Sequence, residues 1–184
     1  MSLIFKTIRQ QVEGLVLGSR GTTVTLEAGR FKTCPQDRTP ETTHADSCER
    51  RFRVVFEGFE ELEPWNSLNV HVFHKVRFSV VLGYQYTKAG LFEETEGFEE
   101  TAGNGDHDSV QERAFTDAHD INRTLTYHEN FGVLNASPLV EVFSFHPATE
   151  GEPNSLELFS DRGILKIRYE ALVKTLTNTS YAGV

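Results

Sequence analysis

Residues 69–86 read NVHVFHKVRFSVVLGYQY, and their side chains sort by parity over almost the whole stretch. The even positions are apolar, interrupted only by His74, whereas the odd positions are mostly polar, with Phe73 and Val81 as exceptions. A period of two is the pattern of a β-strand that buries one face. The sequence therefore predicts one long central strand.

The length of this strand is unusual. At about 3.3 Å per residue it would extend about 60 Å, several times the usual strand of about 5 to 6 residues. Such a strand must bend, for instance near His74 or Gly83, or project beyond its own core. In either case we expect the sheet to pair with a segment from outside the subunit.

Composition limits the class of protein. The chain has 184 residues, of which 38% are hydrophobic, and this suits a single domain, residues 1–184, with long loops at 32–49 and 87–107. A net charge of -9 argues against a protein that wraps nucleic acid or binds anionic lipid. No stretch approaches the roughly 18 to 20 apolar residues of a membrane span, and the first residues lack the order of a signal peptide. We expect a protein made in the cytoplasm that has no membrane partner.

Two helices are predicted around the central strand. Apolar residues at three- and four-residue steps predict an amphipathic helix over residues 2–17. A capping box formed by Asp108 and Gln111 predicts a second helix over about 109–128. Its small residues, Ala114 and Ala118, would let it lie close against a sheet.

Five further strands are predicted by short alternating or apolar runs. They lie near residues 24–26, 51–57, 139–145, 156–159 and 164–173. We expect the strand at 51–57 to pair with the central strand. The fold class is thus α+β: a single mixed or antiparallel sheet with one very long strand, packed by the N-terminal and central helices.

The predicted core joins the inner face of the central strand to the apolar face of the second helix. Its members are Val76, Phe78, Val80, Leu82, Val110, Ala114, Ile121 and Leu125.

The two cysteines, Cys34 and Cys48, flank His44 in a polar segment. A structural zinc site needs about four ligands at short paired spacings, which this segment lacks unless aspartates or another subunit contribute. In a reducing compartment we rank free thiols first, a disulfide second and a metal site third.

Histidines and carboxylates do not form a recognisable catalytic pattern. In the run DAHD, Asp117 and Asp120 approach a shared helix face while His119 points elsewhere. The chain has no nucleophile elbow, no phosphate-binding glycine loop and no dinucleotide fingerprint. We therefore expect no enzyme, no catalytic, metal-binding or cofactor-binding residues and no cofactor. A small metal-dependent enzyme is the remote alternative.

The order of elements resembles the tail terminator proteins of long-tailed bacteriophages. The resemblance rests on that order, on the helix at 108–127 and on the closing strand GILKIRYEALV at residues 163–173. It covers most of the chain, but the loops at 32–49 and 87–105 are longer than the family's. No short diagnostic motif accompanies it.

The resemblance implies a structural virion protein of the tail and neck. Such proteins form a ring, commonly of six copies, that caps the tail tube, ends its polymerisation and joins the tail to the head. The implied partners are other copies of the chain, the tail tube protein and the head-tail connector protein, with assembly in the host cytoplasm. DNA would pass through without specific binding. The alternative within the virion is a head-tail joining protein or a tail tube subunit.

An acidic segment is the predicted subunit interface. Residues 91–100 read LFEETEGFEE, whereas Lys75 and Arg77 stand on the polar face of the central strand. We expect these residues to form an arm that docks on Lys75 and Arg77 of a neighbouring subunit, or one that faces the tail. The alternative is that the arm lines the DNA channel with negative charge. The predicted interface residues of the arm are Phe92, Glu93, Glu94, Glu96, Phe98, Glu99 and Glu100.

Overall fold

A computed structural model describes residues 3–19, 26–35, 37–44, 47–62, 71–86, 104–130, 140–149 and 154–176. Its elements in chain order are α1 (Leu3–Val16), β1 (Lys32–Thr33), β2 (Arg51–Glu61), β3 (His71–Gln85), α2 (Asn104–Thr126), β4 (Val140–Pro147), β5 (Asn154–Leu158) and β6 (Arg162–Leu176). The described residues form an α+β fold, as predicted, with two helices and one mixed sheet of six strands.

The sheet is built around β3. Its strand order is β1-β2-β3-β6-β4, and β5 pairs with β6 beside β4. All pairs are antiparallel except that of β1 with β2. The predicted pairing of β2 with the central strand is confirmed.

The expectation that the sheet pairs with a segment from outside the subunit stays a prediction, but β3 itself is paired within its own chain. All fifteen of its residues, from His71 to Gln85, pair with β6, which is equally long. The other edge of β3 pairs with β2 from His74 to Gly83. The register irregularity lies in β2, between Phe56 and Gly58, and not in β3. Both edges of β3 are therefore occupied by its own chain.

The core lies between the sheet and the two helices, which pack on one face of it. All eight predicted core residues belong to it, together with Ile8, Val12 and Leu15 of α1. At Gly163 of β6 the helix α2 lies close to the sheet, because a Cβ there would lie 2.6 Å from Val110 Cγ1. The opposite face of the sheet carries the polar odd-numbered side chains of β3.

Two predicted boundaries require correction. Because α2 begins at Asn104, Asp108 lies inside the helix and the capping box of Asp108 with Gln111 is wrong. The first turn tolerates Asn104 and Gly105, since its N–H groups need no partner within the helix. Residues 104–107 of the loop expected at 87–107 therefore belong to α2, and residues 87–103 lie outside the described residues. The strand expected at 24–26 falls largely outside the described residues, and Leu26 itself is buried without strand structure.

Apart from β1 at the start, the described residues of the range 32–49 form a loop, as predicted. Three arginines hold it by donating to backbone carbonyl groups. Arg162 donates to Pro40, Glu41 and Thr43, Arg51 to Ser47 and Thr33, and Arg53 to Arg38. The loop also packs on β3 at Gly83, where a Cβ would lie 3.0 Å from the Cys48 carbonyl oxygen.

Replacing Phe78 by alanine should lower the free energy of unfolding by about 3 to 5 kcal/mol. Phe78 is fully buried, and its ring lies 5.4 Å from that of Phe145 and 5.5 Å from that of Tyr169. Denaturant unfolding measures the loss. A loss below about 1 kcal/mol would contradict the burial of this side chain.

Candidate functional site

A cluster of charged side chains surrounds Asp117 of α2. This carboxylate is fully buried. Its Oδ2 accepts hydrogen bonds from Arg50 Nε at 2.8 Å and from Tyr84 Oη at 3.1 Å. Its Oδ1 accepts from Arg50 Nη2 at 3.1 Å and from Arg30 Nη2. Arg30 also donates to Asp120 through Nη1 at 2.6 Å.

Local backbone conformation places the two arginines. Arg30 follows Gly29, whose φ is 86°, and Arg50 has a φ of 49° immediately before β2. A positive φ is uncommon for a residue with a side chain, so the surrounding contacts must compensate for the strain. Here Arg50 donates its backbone N–H to the Gly83 carbonyl and its guanidinium to Asp117. The cluster thus fixes the entry into β2.

The carboxylate of Asp117 joins α2 to the segments that carry its hydrogen-bond donors. A carboxylate offers about four acceptor positions, and Asp117 accepts four hydrogen bonds, so its acceptor positions are filled. An open cavity of about 510 Å³ above it is lined by Glu27, Ala28, Gly29, Arg30 and Arg50. The prediction that Asp117 and Asp120 share a helix face is confirmed, and His119 is 68% exposed.

Replacing Asp117 by asparagine should lower the free energy of unfolding by about 3 kcal/mol, because the guanidinium group of Arg50 loses its counter-ion and that of Arg30 keeps only Asp120. Asp120→Asn is the matched control. Its carboxylate is 32% exposed, and its loss should cost about 1 kcal/mol or less. Equal losses in urea unfolding would contradict a special role for Asp117.

Two buried tyrosines should make the protein sensitive to alkali. Burial, followed by the charge and hydrogen bond of Asp117, raises the pKa of Tyr84 well above its usual 10.0, and burial raises that of Tyr169. Both phenols stay protonated in the folded chain while the unfolded chain loses these protons above pH 10. Each tyrosine should therefore lower the unfolding free energy by about 1.4 kcal/mol per pH unit above about pH 10. Tyr169→Phe should reduce this slope, measured by denaturant unfolding between about pH 9.5 and 11; an unchanged slope would contradict the expectation.

The sheet has two unlike outer edges. On one side β1 pairs with β2 only at Arg51 and Phe52, and no other described strand continues along β2 towards Glu60. On the opposite side β5 pairs with β6, and no described strand pairs with its outer edge. Open strand edges are the places where a sheet can accept another chain.

Exposed apolar side chains accompany both edges. Near the end of β2, Phe59 is 66% exposed and Leu62 is 45% exposed; the Phe59 ring lies 6.2 Å from that of Phe5 in α1. Beside β5, Phe115 is 78% exposed and lines a groove of about 470 Å³ between α2, β5 and β6, together with Leu156. Exposed apolar patches surrounded by polar residues are typical of surfaces that bind other proteins.

The predicted interface residues divide into two groups. Lys75 Nζ lies 3.0 Å from Glu170 Oε2, and Arg77 lies 3.8 Å from both Glu170 and Glu60. These two cations therefore have acidic neighbours within their own chain, and their part in an interface stays a prediction. The arm residues Phe92, Glu93, Glu94, Glu96, Phe98, Glu99 and Glu100 lie outside the described residues.

Cys34 and Cys48 are free thiols in the structure, and Cys48 is buried. Burial raises the pKa of both, which keeps them protonated and weakly nucleophilic at neutral pH. Within the described ranges, no three histidine, cysteine or acidic side chains lie close enough together to hold a metal ion.

Sequence reasoning identified Asp117 and Asp120 as neighbours but missed their partners. Arg30, Arg50 and Tyr84 are 87, 67 and 33 residues away from Asp117 in sequence. The only local signals were Gly29 before Arg30 and the position of Tyr84 on the apolar face of β3.

Comparison of the sequence with models of known protein families, and with curated proteins, found no match. Among the described helices, none has the length and apolar character needed to cross a membrane.

Proposed function

We propose that this chain is a structural virion protein of a long-tailed bacteriophage. It forms a ring at the head-proximal end of the tail tube, ends polymerisation of the tube and joins the tail to the head. Its partners are further copies of itself, the tail tube protein and the head-tail connector protein, and DNA passes through the ring without specific binding.

The pair of unlike open sheet edges carries this proposal. An interface between two different surfaces of the same chain is head-to-tail, and repeated head-to-tail contacts close into a ring when the rotation permits. The β2 edge with Phe59 lies on one side of the sheet, and the β5 edge with Phe115 lies on the other. Ring closure would cover both edges and both apolar patches.

Charge supports passage of DNA without retention. The chain has 27 acidic and 18 basic residues. Nucleic-acid affinity depends mainly on lysine and arginine contacts to phosphate, so a net negative ring repels the backbone. The saturated Asp117 cluster favours a structural role over catalysis.

The order of elements favours a tail terminator over a connector or a tail tube subunit, and the test must separate the three. Sedimentation and negative-stain imaging of the purified chain should give a closed ring, commonly of six copies. Added to growing tail tubes, the ring should bind at one end and stop elongation. Elongation of the chain itself into tubes would indicate a tube subunit, and a persistent monomer would contradict the proposal.

The two variants Phe59→Glu and Phe115→Glu test the head-to-tail arrangement. Each adds a charge to one patch without opening the core, so each should abolish the ring while the chain stays folded by circular dichroism. Mixing the two variants leaves one intact pair of surfaces, so the mixture should form dimers. Analytical ultracentrifugation measures the species. Rings that persist in either variant would contradict the assignment of these surfaces.

A further inference from the structure

A cleft opens at the outer edge of β2, where β1 ends. It encloses about 530 Å³ and is lined by Arg9, Glu13, Thr33, Cys34, Pro35, Phe52 and Arg53. β1 stops after Thr33, and Pro35 cannot donate a backbone hydrogen bond to continue the ladder. The β2 edge continues beyond this point and forms one wall of the cleft.

The backbone of β2 presents hydrogen-bonding groups to this cleft. The Arg50 carbonyl accepts from Lys32 N on the β1 side, and the Phe52 carbonyl accepts there from Cys34 N, so Phe52 directs its backbone groups towards β1. Strand alternation turns those of Val54 to the same side. Among the described strands, none pairs there beyond Phe52. An extended segment can therefore enter as an added strand in line with β1.

The electrostatics of the cleft favour an acidic segment. Two guanidinium groups, of Arg9 and Arg53, line it against one carboxylate, Glu13. Arg53 donates to the Arg38 carbonyl and Arg51 to the Thr33 carbonyl, bonds that satisfy N–H groups without neutralising the charges. Burial raises the pKa of Glu13, an effect that Arg9 partly offsets.

The chain contains a segment of matching chemistry. Residues 91–100, LFEETEGFEE, carry five glutamates and no basic residue, together with Leu91, Phe92 and Phe98. Glutamates would face the guanidinium groups, and apolar side chains would meet the apolar parts of the wall, such as Phe52. Charge-assisted hydrogen bonds from arginine to carboxylate are among the stronger polar contacts.

The chain continues towards this segment from the end of β3, the central strand, where Gln85 N donates to Glu49 Oε2. Tyr86 Oη donates to the Phe159 carbonyl directly after β5, 2.5 Å away. The loop that packs on Gly83 through Pro40 and Cys48 covers the end of the sheet between Tyr86 and the β2 edge. In a head-to-tail ring, however, the β5 side of one copy faces the β2 side of the next.

We propose that the β2 cleft binds residues 91–100 of a second copy as an added edge strand, with their glutamates against Arg9 and Arg53. The inference rests on the proposed ring, because a second copy must lie beside the cleft. It gives the acidic segment a receiving surface on the edge of the sheet, distinct from Lys75 and Arg77.

Peptide binding tests the cleft without requiring a ring. The full chain carrying Glu93→Lys, Glu94→Lys and Glu96→Lys serves as the receiver, which means the protein that binds the peptide. Its own residues 91–100 no longer match the charge of the cleft. A fluorescent peptide of residues 88–103 should bind it. Adding Arg9→Glu and Arg53→Glu to the receiver should raise the dissociation constant at least about tenfold. The matched control Arg123→Glu changes an exposed arginine near the end of α2 and should leave binding unchanged. Affinity should fall as NaCl rises from about 0.05 to 0.5 M. Equal binding by all receivers would overturn the proposal.

Charge exchange tests whether the segment comes from a second copy. Chains with Arg9→Glu and Arg53→Glu, and chains with the three glutamates changed to lysine, should each fail to form rings. An equal mixture should restore them, because each reversed surface then meets its complement on the other chain. Recovery only when one chain carries both sets of changes would overturn the second-copy assignment.

The two proposals can fail separately. Wild-type rings that both reversed chains also form would overturn the cleft assignment and leave the ring. A wild-type monomer whose peptide binding depends on Arg9 and Arg53 would overturn the ring and the second-copy source, while supporting the acidic specificity of the cleft.

Discussion

The pairing of β3 with β6 over fifteen residues is the constraint on which the rest of the fold depends. Because side chains alternate with a period of two, this register places Phe78 opposite Tyr169 and Val80 opposite Ile167 on the same buried face. A slip of one residue would turn the whole apolar set of β3 to solvent. The register therefore fixes the surface on which both helices pack.

The Asp117 cluster adds a second tie at one end of this core. It joins α2 to the start of β2 through Arg50, to β3 through Tyr84 and to the segment before β1 through Arg30. A buried carboxylate is tolerated only when it is fully hydrogen-bonded and paired. The Asp117 cluster is consistent with a role in conformational specificity, because its four donor atoms converge on Asp117 in a single arrangement of these segments.

Because the long strands β3 and β6 pair with each other, the candidate functional surfaces lie at the outer edges of the sheet. β3 is paired on both sides from His74 to Gly83, so the open edges of the described sheet are those of β2 on one side and of β4 and β5 on the other. These edges differ in their neighbours: an arginine-lined cleft and Phe59 on one side, and an apolar groove and Phe115 on the other. Unlike edges favour head-to-tail contacts, which can close into a ring and leave no edge free.

The sequence by itself determined the local elements, because their signals are local. Parity defined β3 and its buried face, three- and four-residue spacing defined α1 and α2, and the apolar positions of both joined the core as expected. The tertiary structure alone decided where the ends of strands and charges meet. The pairing of β3 with β6 has no local signal in the sequence. The same holds for the convergence of Arg30, Arg50 and Tyr84 on Asp117, since all these partners are separated by 33 or more residues. Long-range contacts of this kind depend on how the whole chain packs, which a period of two or of 3.6 does not encode.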